Sequence, residues 1–286
     1  MIHPAYSINL PRVRSTSVLF DSPHSGQDYP PAFLRRAALD QTAIRSSEDA
    51  FVDLLFASAP EAGAPLLCAR TPRAYVDLNR SAEELDPALI EGVRHQPHNP
   101  RVASGLGVIP RVVSNGRTIM RGKLALPEAR ARLAGHWRPY HDALDALIAE
   151  QIALFGEAIL IDCHSMPHEA IEGHFSGYGP RPDVILGDRF GASASAPIMD
   201  RVEAAFVRAG LRVARNAPFA GAYITQHYGR PSRRQHVIQV EIDRALYMNE
   251  RSISPNEGFN ALRETLADVI EEIAAIGRQD MPLAAE

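Results

Sequence analysis

Cysteine is scarce. The 286-residue chain contains only Cys68 and Cys163, both inside apolar stretches, which excludes a disulfide scaffold and a cysteine-rich structural zinc site. Any metal must be held by histidine and carboxylate, and eleven histidines are available. Long hydrophobic runs are also missing: none approaches the roughly 20 residues of a membrane span. The N-terminal "MIHPAYSINLPRVRSTSVLF" lacks the basic segment and apolar core of a secretory signal, so the chain reads as cytoplasmic. Nor is there an excess of positive charge. With a formal net charge of -4 and both signs mixed along the chain, there is no extended basic face for a nucleic acid or an anionic membrane. A small molecule is the expected partner.

What is present is the composition of an ordinary globular protein, 45% hydrophobic and 22% charged, at a length near the upper limit of one hydrophobic core. A single domain over residues 1–286 is expected. Short apolar runs read as buried strands: "TSVLF" (16–20), "PLLCA" (65–69), "AILIDC" (158–163), "DVILG" (183–187), "LRVAR" (211–215) and "HVIQVEI" (236–242). Helical patterns lie between several of them, at 48–59, 126–155 and 254–277. That alternation predicts an α/β fold with a mostly parallel sheet covered on both faces. Pro139 is expected to kink or divide the second helix, and Ser254, Pro255 and Glu257 to form a capping box for the third. Residues 80–122, 165–182 and 216–235 read as long loops, the first with a hairpin turn at "SNG". Loops of that length in a compact fold are usually functional, and in open α/β sheets ligands sit beyond the carboxyl ends of the strands.

Several strands end in chemistry. "SVLFDSPHSG" delivers His24, and "AILIDCHSMPH" delivers Asp162 and His164 on the same side, with Cys163 on the other. Neutral imidazoles suit Zn²⁺, which in catalytic sites takes three protein ligands and an open position. A carboxylate completes the set, and "SSEDAFVD" offers Glu48 or Asp49 at a predicted helix start. In "QVEIDRALYM", alternation separates Val240 and Ile242 from Gln239, Glu241 and Asp243. Glu241 is a candidate general base, with a salt bridge to Arg244 or another arginine as the plain alternative. "RAYVDLNR" supplies Arg73, Asn79 and Arg80, and an Arg–Asn pair suits a substrate carboxylate, although an exposed turn would also carry it. "NAPFAGAYITQHYGRP" adds Gly221, Thr225, His227, Tyr228 and Arg230 as pocket material; His227 could equally be structural or a third histidine ligand.

Together "PHSG", "EDAFVD", "YVDLNR", "IDCHSMP", "GAYITQHYG" and "VEIDR", in this order from about Ser17 to Tyr247, resemble the N-formylglutamate amidohydrolase family. The resemblance implies a three-layer α/β/α sandwich related to zinc carboxypeptidases and aspartoacylase. It also implies one zinc or other divalent ion on His24, His164 and Asp49, Glu48 being the alternative to Asp49. Asn79 and Arg80 would hold a substrate carboxylate, Glu241 would be general base and acid, and Arg73, His227 or Arg230 would steady the oxyanion. The implied reaction releases formate and L-glutamate from N-formyl-L-glutamate, as in histidine degradation. Three rival readings are compatible with the sequence: a metallohydrolase of another N-acyl acidic amino acid, a cysteine amidohydrolase using Cys163, and a non-catalytic binder of acidic ligands.

Overall fold

The computed structural model describes residues 4–94, 99–175 and 181–278. Its centre is a seven-stranded sheet. In chain order the strands are β1 (Tyr6–Asn9), β2 (Val18–Ser22), β3 (Leu66–Ala69), β4 (Ala158–Met166), β5 (Val184–Gly187), β6 (Val213–Arg215) and β7 (Gln235–Asp243). In space they run β1-β3-β2-β4-β7-β5-β6. The four central strands β3, β2, β4 and β7 are parallel, so their carboxyl ends open at one edge. β1 is antiparallel to β3, and β5 to β7. The mostly parallel α/β sheet expected from the apolar runs is therefore present.

The helices that build the layers and the site are α1 (Val52–Leu55), α2 (Leu126–Arg132), α3 (Arg138–Phe155), α4 (His168–His174), α5 (Ala196–Arg208), α6 (Tyr223–Tyr228) and α7 (Phe259–Ile276), with other short helical segments between them. Period-2 alternation along the strands makes the three layers. Phe20, Ile161, Leu186, Val240 and Ile242 face α1, α5 and α7. Leu19, Leu67, Leu160 and Val237 face α2, α3 and α6. The apolar stripe of α7, Leu262, Leu266, Val269, Ile270 and Ile273, is buried as its spacing demands. Truncating a fully buried member such as Leu266 to Ala would cost about 2–5 kcal/mol.

Several expected boundaries differ. The helix read at 48–59 contracts to α1, because Phe51 adopts a left-handed backbone (φ 68°) and leaves residues 48–50 outside it. The capping box at Ser254 does not form: Ser254–Pro255 pair with Met248–Asn249, and Asn256 Oδ1 accepts from Gly258 N just before α7. The stretch 126–155 is divided next to Pro139, as expected, into α2 and α3. A π turn over Leu133–Trp137 takes up the missing N–H, and Pro139 falls in the first turn of α3. "SNG" makes a turn with one bridge, Val112 to Thr118, rather than two strands. The loops expected at 165–182 and 216–235 contain α4 and α6; parts of the loops at 80–122 and 165–182, residues 95–98 and 176–180, lie outside the described residues. β1 and α5 fall outside the elements expected from the sequence. Among the described residues, no helix is long and apolar enough to cross a membrane.

Candidate active site

A cavity of about 360 Å³ opens at the carboxyl ends of the parallel strands, and His24, Asp49, His164 and Glu241 all line it. His24 follows β2 in a turn that crosses close to the chain after β3. A Cβ on Gly26 would sit 2.2 Å from the Thr71 carbonyl oxygen, so only glycine permits the approach. His164 lies within β4, opposite Glu241 of β7 in register. Asp49 is placed by its backbone, since its N–H donates to His24 O at 3.0 Å. Extended backbone turns its neighbour the other way: Glu48 pairs with Arg45 (2.9 Å) and accepts from Tyr29 Oη (2.6 Å). Glu48, the alternative third ligand, is thereby committed elsewhere, and the helix start that suggested either carboxylate is not what positions Asp49.

One ligand atom each from His24, Asp49 and His164 lies within 4.8 Å of the others. Asp49 Oδ2 is 2.9 Å from His164 Nδ1 and 3.3 Å from His24 Nδ1. Behind each ring stands a second carboxylate: Asp77 Oδ1 is 2.7 Å from His24 Nε2, and Asp162 Oδ1 is 2.7 Å from His164 Nε2. A neutral imidazole that donates through Nε2 presents a lone pair at Nδ1. Two such lone pairs and a carboxylate oxygen then converge, and His24 Nδ1 is buried with no hydrogen-bond partner. That donor set, with both outer carboxylates in place, fits a divalent cation. The pocket is also strongly negative around His164. Burial alone would lower the pKa of His164, but Asp162, Asp49 and Glu241 outweigh it and hold it well above its ordinary value. Burial would likewise raise Asp49, yet its contacts with His164 and His24 hold it well below the usual carboxylate range. The pocket attracts positive charge.

Asp49 Oδ1 is held separately. Arg244 Nη2 donates to it at 2.8 Å, while Arg244 Nε donates to Ser165 Oγ at 3.1 Å. The sequence offers Arg244 only as a partner for Glu241; the structure gives it to Asp49. Glu241 accepts from Gln239 Nε2 (2.7 Å), and Gln239 Oε1 accepts from Ala222 N (3.0 Å). Burial, chiefly, raises the Glu241 carboxyl to about 7. Such a group can take and return a proton near neutral pH.

The "YVDLNR" loop is braced from below. His141 Nε2 donates to Leu78 O (2.9 Å) and Trp137 Nε1 to Arg80 O (2.9 Å), Trp137 being the last residue of the π turn. Burial drives the His141 pKa down to about 3, so it stays neutral. Arg73 lines the cavity and pairs with Asp77 at 3.0 Å. Asn79 also lines it, but its amide nitrogen donates to Asp162 Oδ2 (3.3 Å) and its oxygen accepts from Ile224 N (2.8 Å). Asn79 thus braces the His164–Asp162 pair from within the cavity. Arg80 does face the cavity.

Thr225, His227 and Arg230 are not among the cavity-lining residues. Thr225 is buried in α6 and donates to Ala222 O at 2.8 Å. His227 is exposed and stacks on Tyr223, and Arg230 is turned back onto the carbonyls of Gln226 and Gly229. The part of that motif that reaches the cavity is the stretch from Pro218 to Ala222. A Cβ on Gly187 would come within 2.7 Å of the Ala220 carbonyl carbon, so this small residue in β5 lets the stretch pack down.

A model of the family described as N-formylglutamate amidohydrolase matches residues 16–248. The chain belongs to the N-formylglutamate amidohydrolase family. An N-formylglutamate deformylase of Pseudomonas aeruginosa is 30% identical over 270 residues, covering 92% of this chain and 94% of the relative. Another, from Pseudomonas putida, is 29% identical over 238 residues, covering 82% of each. The crystal structure of N-formylglutamate amidohydrolase from Ralstonia eutropha JMP134 superposes with a TM-score of 0.90 at 34% identity, over 98% of this chain and 100% of that one. A protein from Agrobacterium tumefaciens, at 17% identity and TM-score 0.65 over 96% of each chain, shares the fold. Family membership and geometry leave the cysteine reading without support: Cys163 is fully buried on the opposite face of β4, and burial pushes its thiol pKa well up.

Proposed function

We propose that the chain hydrolyses the amide of N-formyl-L-glutamate, giving formate and L-glutamate, with a divalent cation, zinc by its donor set, on His24, Asp49 and His164. The observation that carries this reading is the joint placement of that triad and Glu241 in one cavity. A bound cation of this kind supplies a Lewis acid and lowers the pKa of water. The chain's own residues do the rest. Asp77 and Asp162 fix the tautomers of His24 and His164, keeping Nδ1 of each ring free to ligate. Arg244 anchors Asp49 Oδ1 and leaves Oδ2 directed at the histidines. Glu241, poised near neutrality, removes the proton from the attacking water and returns it to the leaving amine. Arg73 faces the cavity as a donor for the negative charge that develops on the amide oxygen. Arg80 seats a substrate carboxylate.

The closest rival is hydrolysis of another N-acyl acidic amino acid by the same groups. Protein loaded with zinc, and separately with other divalent metals, should be assayed against N-formyl-, N-acetyl- and N-formimino-L-glutamate and N-acetyl-L-aspartate. The proposal expects N-formyl-L-glutamate to give the highest kcat/KM. Preference for an acetylated substrate would overturn it, and no turnover of any of the four would favour a binding protein.

A further inference from the structure

Four guanidinium groups line the cavity, and they differ in what neutralises them. Arg73 is paired with Asp77 and Arg244 with Asp49. Arg80 and Arg101 have no carboxylate partner among the described residues. Arg80 is only 8% exposed, and it spends Nε on Leu106 O (3.1 Å) and Nη1 on Asn79 O (2.9 Å), both uncharged acceptors. Its Nη2 has no acceptor in the protein among the described residues. Arg101 extends from the helical turn Pro100–Ala103, which Asn99 caps by accepting from Arg101 N (3.0 Å) and Val102 N (3.3 Å). Its side chain makes no hydrogen bond or ion pair with described residues, although its backbone is fixed.

Two unneutralised cations in one concavity repel each other. Burial lowers the pKa of Arg80, and the charges of Arg73 and Arg101 lower it further against the opposing charges of Asp77 and Glu84. Folding keeps this unfavourable pair, and a bound anion would relieve it. One carboxylate would satisfy Arg80. A second cation lining the same cavity, with Leu106, Pro110 and Val112 also lining it to take methylenes, suits a ligand with two.

We infer that Arg101 is the specificity residue for the second carboxylate of the substrate: Arg80 seats the α-carboxylate, and Arg101 takes the side-chain carboxylate and rejects neutral analogues. The inference rests on the reading of the cavity as the site of an N-acyl acidic amino acid. Arg101 lies outside every motif that identified the site, in a polar stretch where sequence alone gave no reason to choose it.

The test compares R101M and R101K with wild type on N-formyl-L-glutamate and N-formyl-L-glutamine. A hydrogen bond between charged groups lost at this position should raise KM for the acidic substrate about tenfold to a hundredfold, with kcat within about threefold. KM for the glutamine analogue should stay unchanged in R101M, and R101K should recover part of the loss because it keeps the charge without the planar fork. Equal changes for both substrates, or none for either, would overturn the assignment. Calorimetric binding of L-glutamate and L-glutamine to metal-loaded wild type and R101M gives a readout without turnover. If wild type hydrolysed neither amide, the proposed reaction would fall, while selective loss of L-glutamate binding in R101M would still uphold Arg101. Unaltered L-glutamate binding would remove it.

Discussion

On the face of the sheet that carries Cys163, apolar contacts continue along the strands to Ile242 near the end of β7. On the face that carries His164, the large cluster stops at Leu160 and Val237, Asp162, His164, Gln239 and Glu241 follow, and only a small apolar cluster with Met166 and Ile185 lies beyond. Burial is nearly the same on both sides. Cys163 is 0% exposed and His164 2%. What differs is the company: the thiol meets hydrocarbon and becomes harder to ionise, whereas the imidazole meets three carboxylates and acquires a place for a cation. Depth in the protein therefore sets the stakes of a polar group, and its neighbours set its chemistry.

The strongest way to break this contrast is to remove a group from the polar face. Glu241→Gln should retain metal, measured by elemental analysis, and lose about 10²–10⁴-fold in kcat; full activity with normal metal content would end its role as base. Replacing the outer carboxylates tests a smaller effect. Asp77→Asn or Asp162→Asn should weaken metal affinity about 10- to 100-fold in a chelator competition, and an unchanged Kd would show that the outer pair does not tune the site.

A third prediction concerns the support beneath the site. His141 is held neutral by burial, with a folded pKa near 3 against an ordinary 6.5. Because the unfolded chain binds the extra proton first, the stability due to neutral His141 is complete above about pH 6.5 and is lost as pH falls toward 3, by about 1.4 kcal/mol per unit. Urea unfolding at pH 7 and pH 5 should show a loss that shrinks by roughly 2 kcal/mol in His141→Gln; an identical pH dependence in the two proteins would contradict it. The smallest effect belongs to the apolar face. Cys163→Ala should leave kcat/KM within about twofold and cost about 1 kcal/mol of stability. A large loss of turnover there would revive the thiol.

The core strands and the two histidines were legible because they depend on local pattern. Apolar runs mark strands, and alternation puts Asp162, His164 and Glu241 on one side without any knowledge of the neighbours. Asp49 was legible only as one of two carboxylates. Its choice over Glu48 depends on a backbone bond to His24 and on Tyr29 and Arg45, none of which spacing reveals. The motif around Thr225, His227 and Arg230 misled for the opposite reason. These residues have suitable chemistry, but α6 turns Thr225 and His227 away from the cavity, Arg230 folds back onto the Gln226 and Gly229 carbonyls, and Pro218 to Ala222 face the cavity instead. Arg244 and Arg101 acquire meaning only from which carboxylates lie near them, a property of the folded chain.

The Asp49 N–H···O=C His24 bond ties two of the three proposed ligands through the main chain, and the third stands in the middle of the sheet. Small metal domains that lack such order must fold as they bind, so that chelation unfolds them. Here the ordering entropy has already been spent on the hydrophobic layers. The ion should therefore come and go from a folded protein, and far-ultraviolet circular dichroism should be unchanged by a chelator that abolishes turnover.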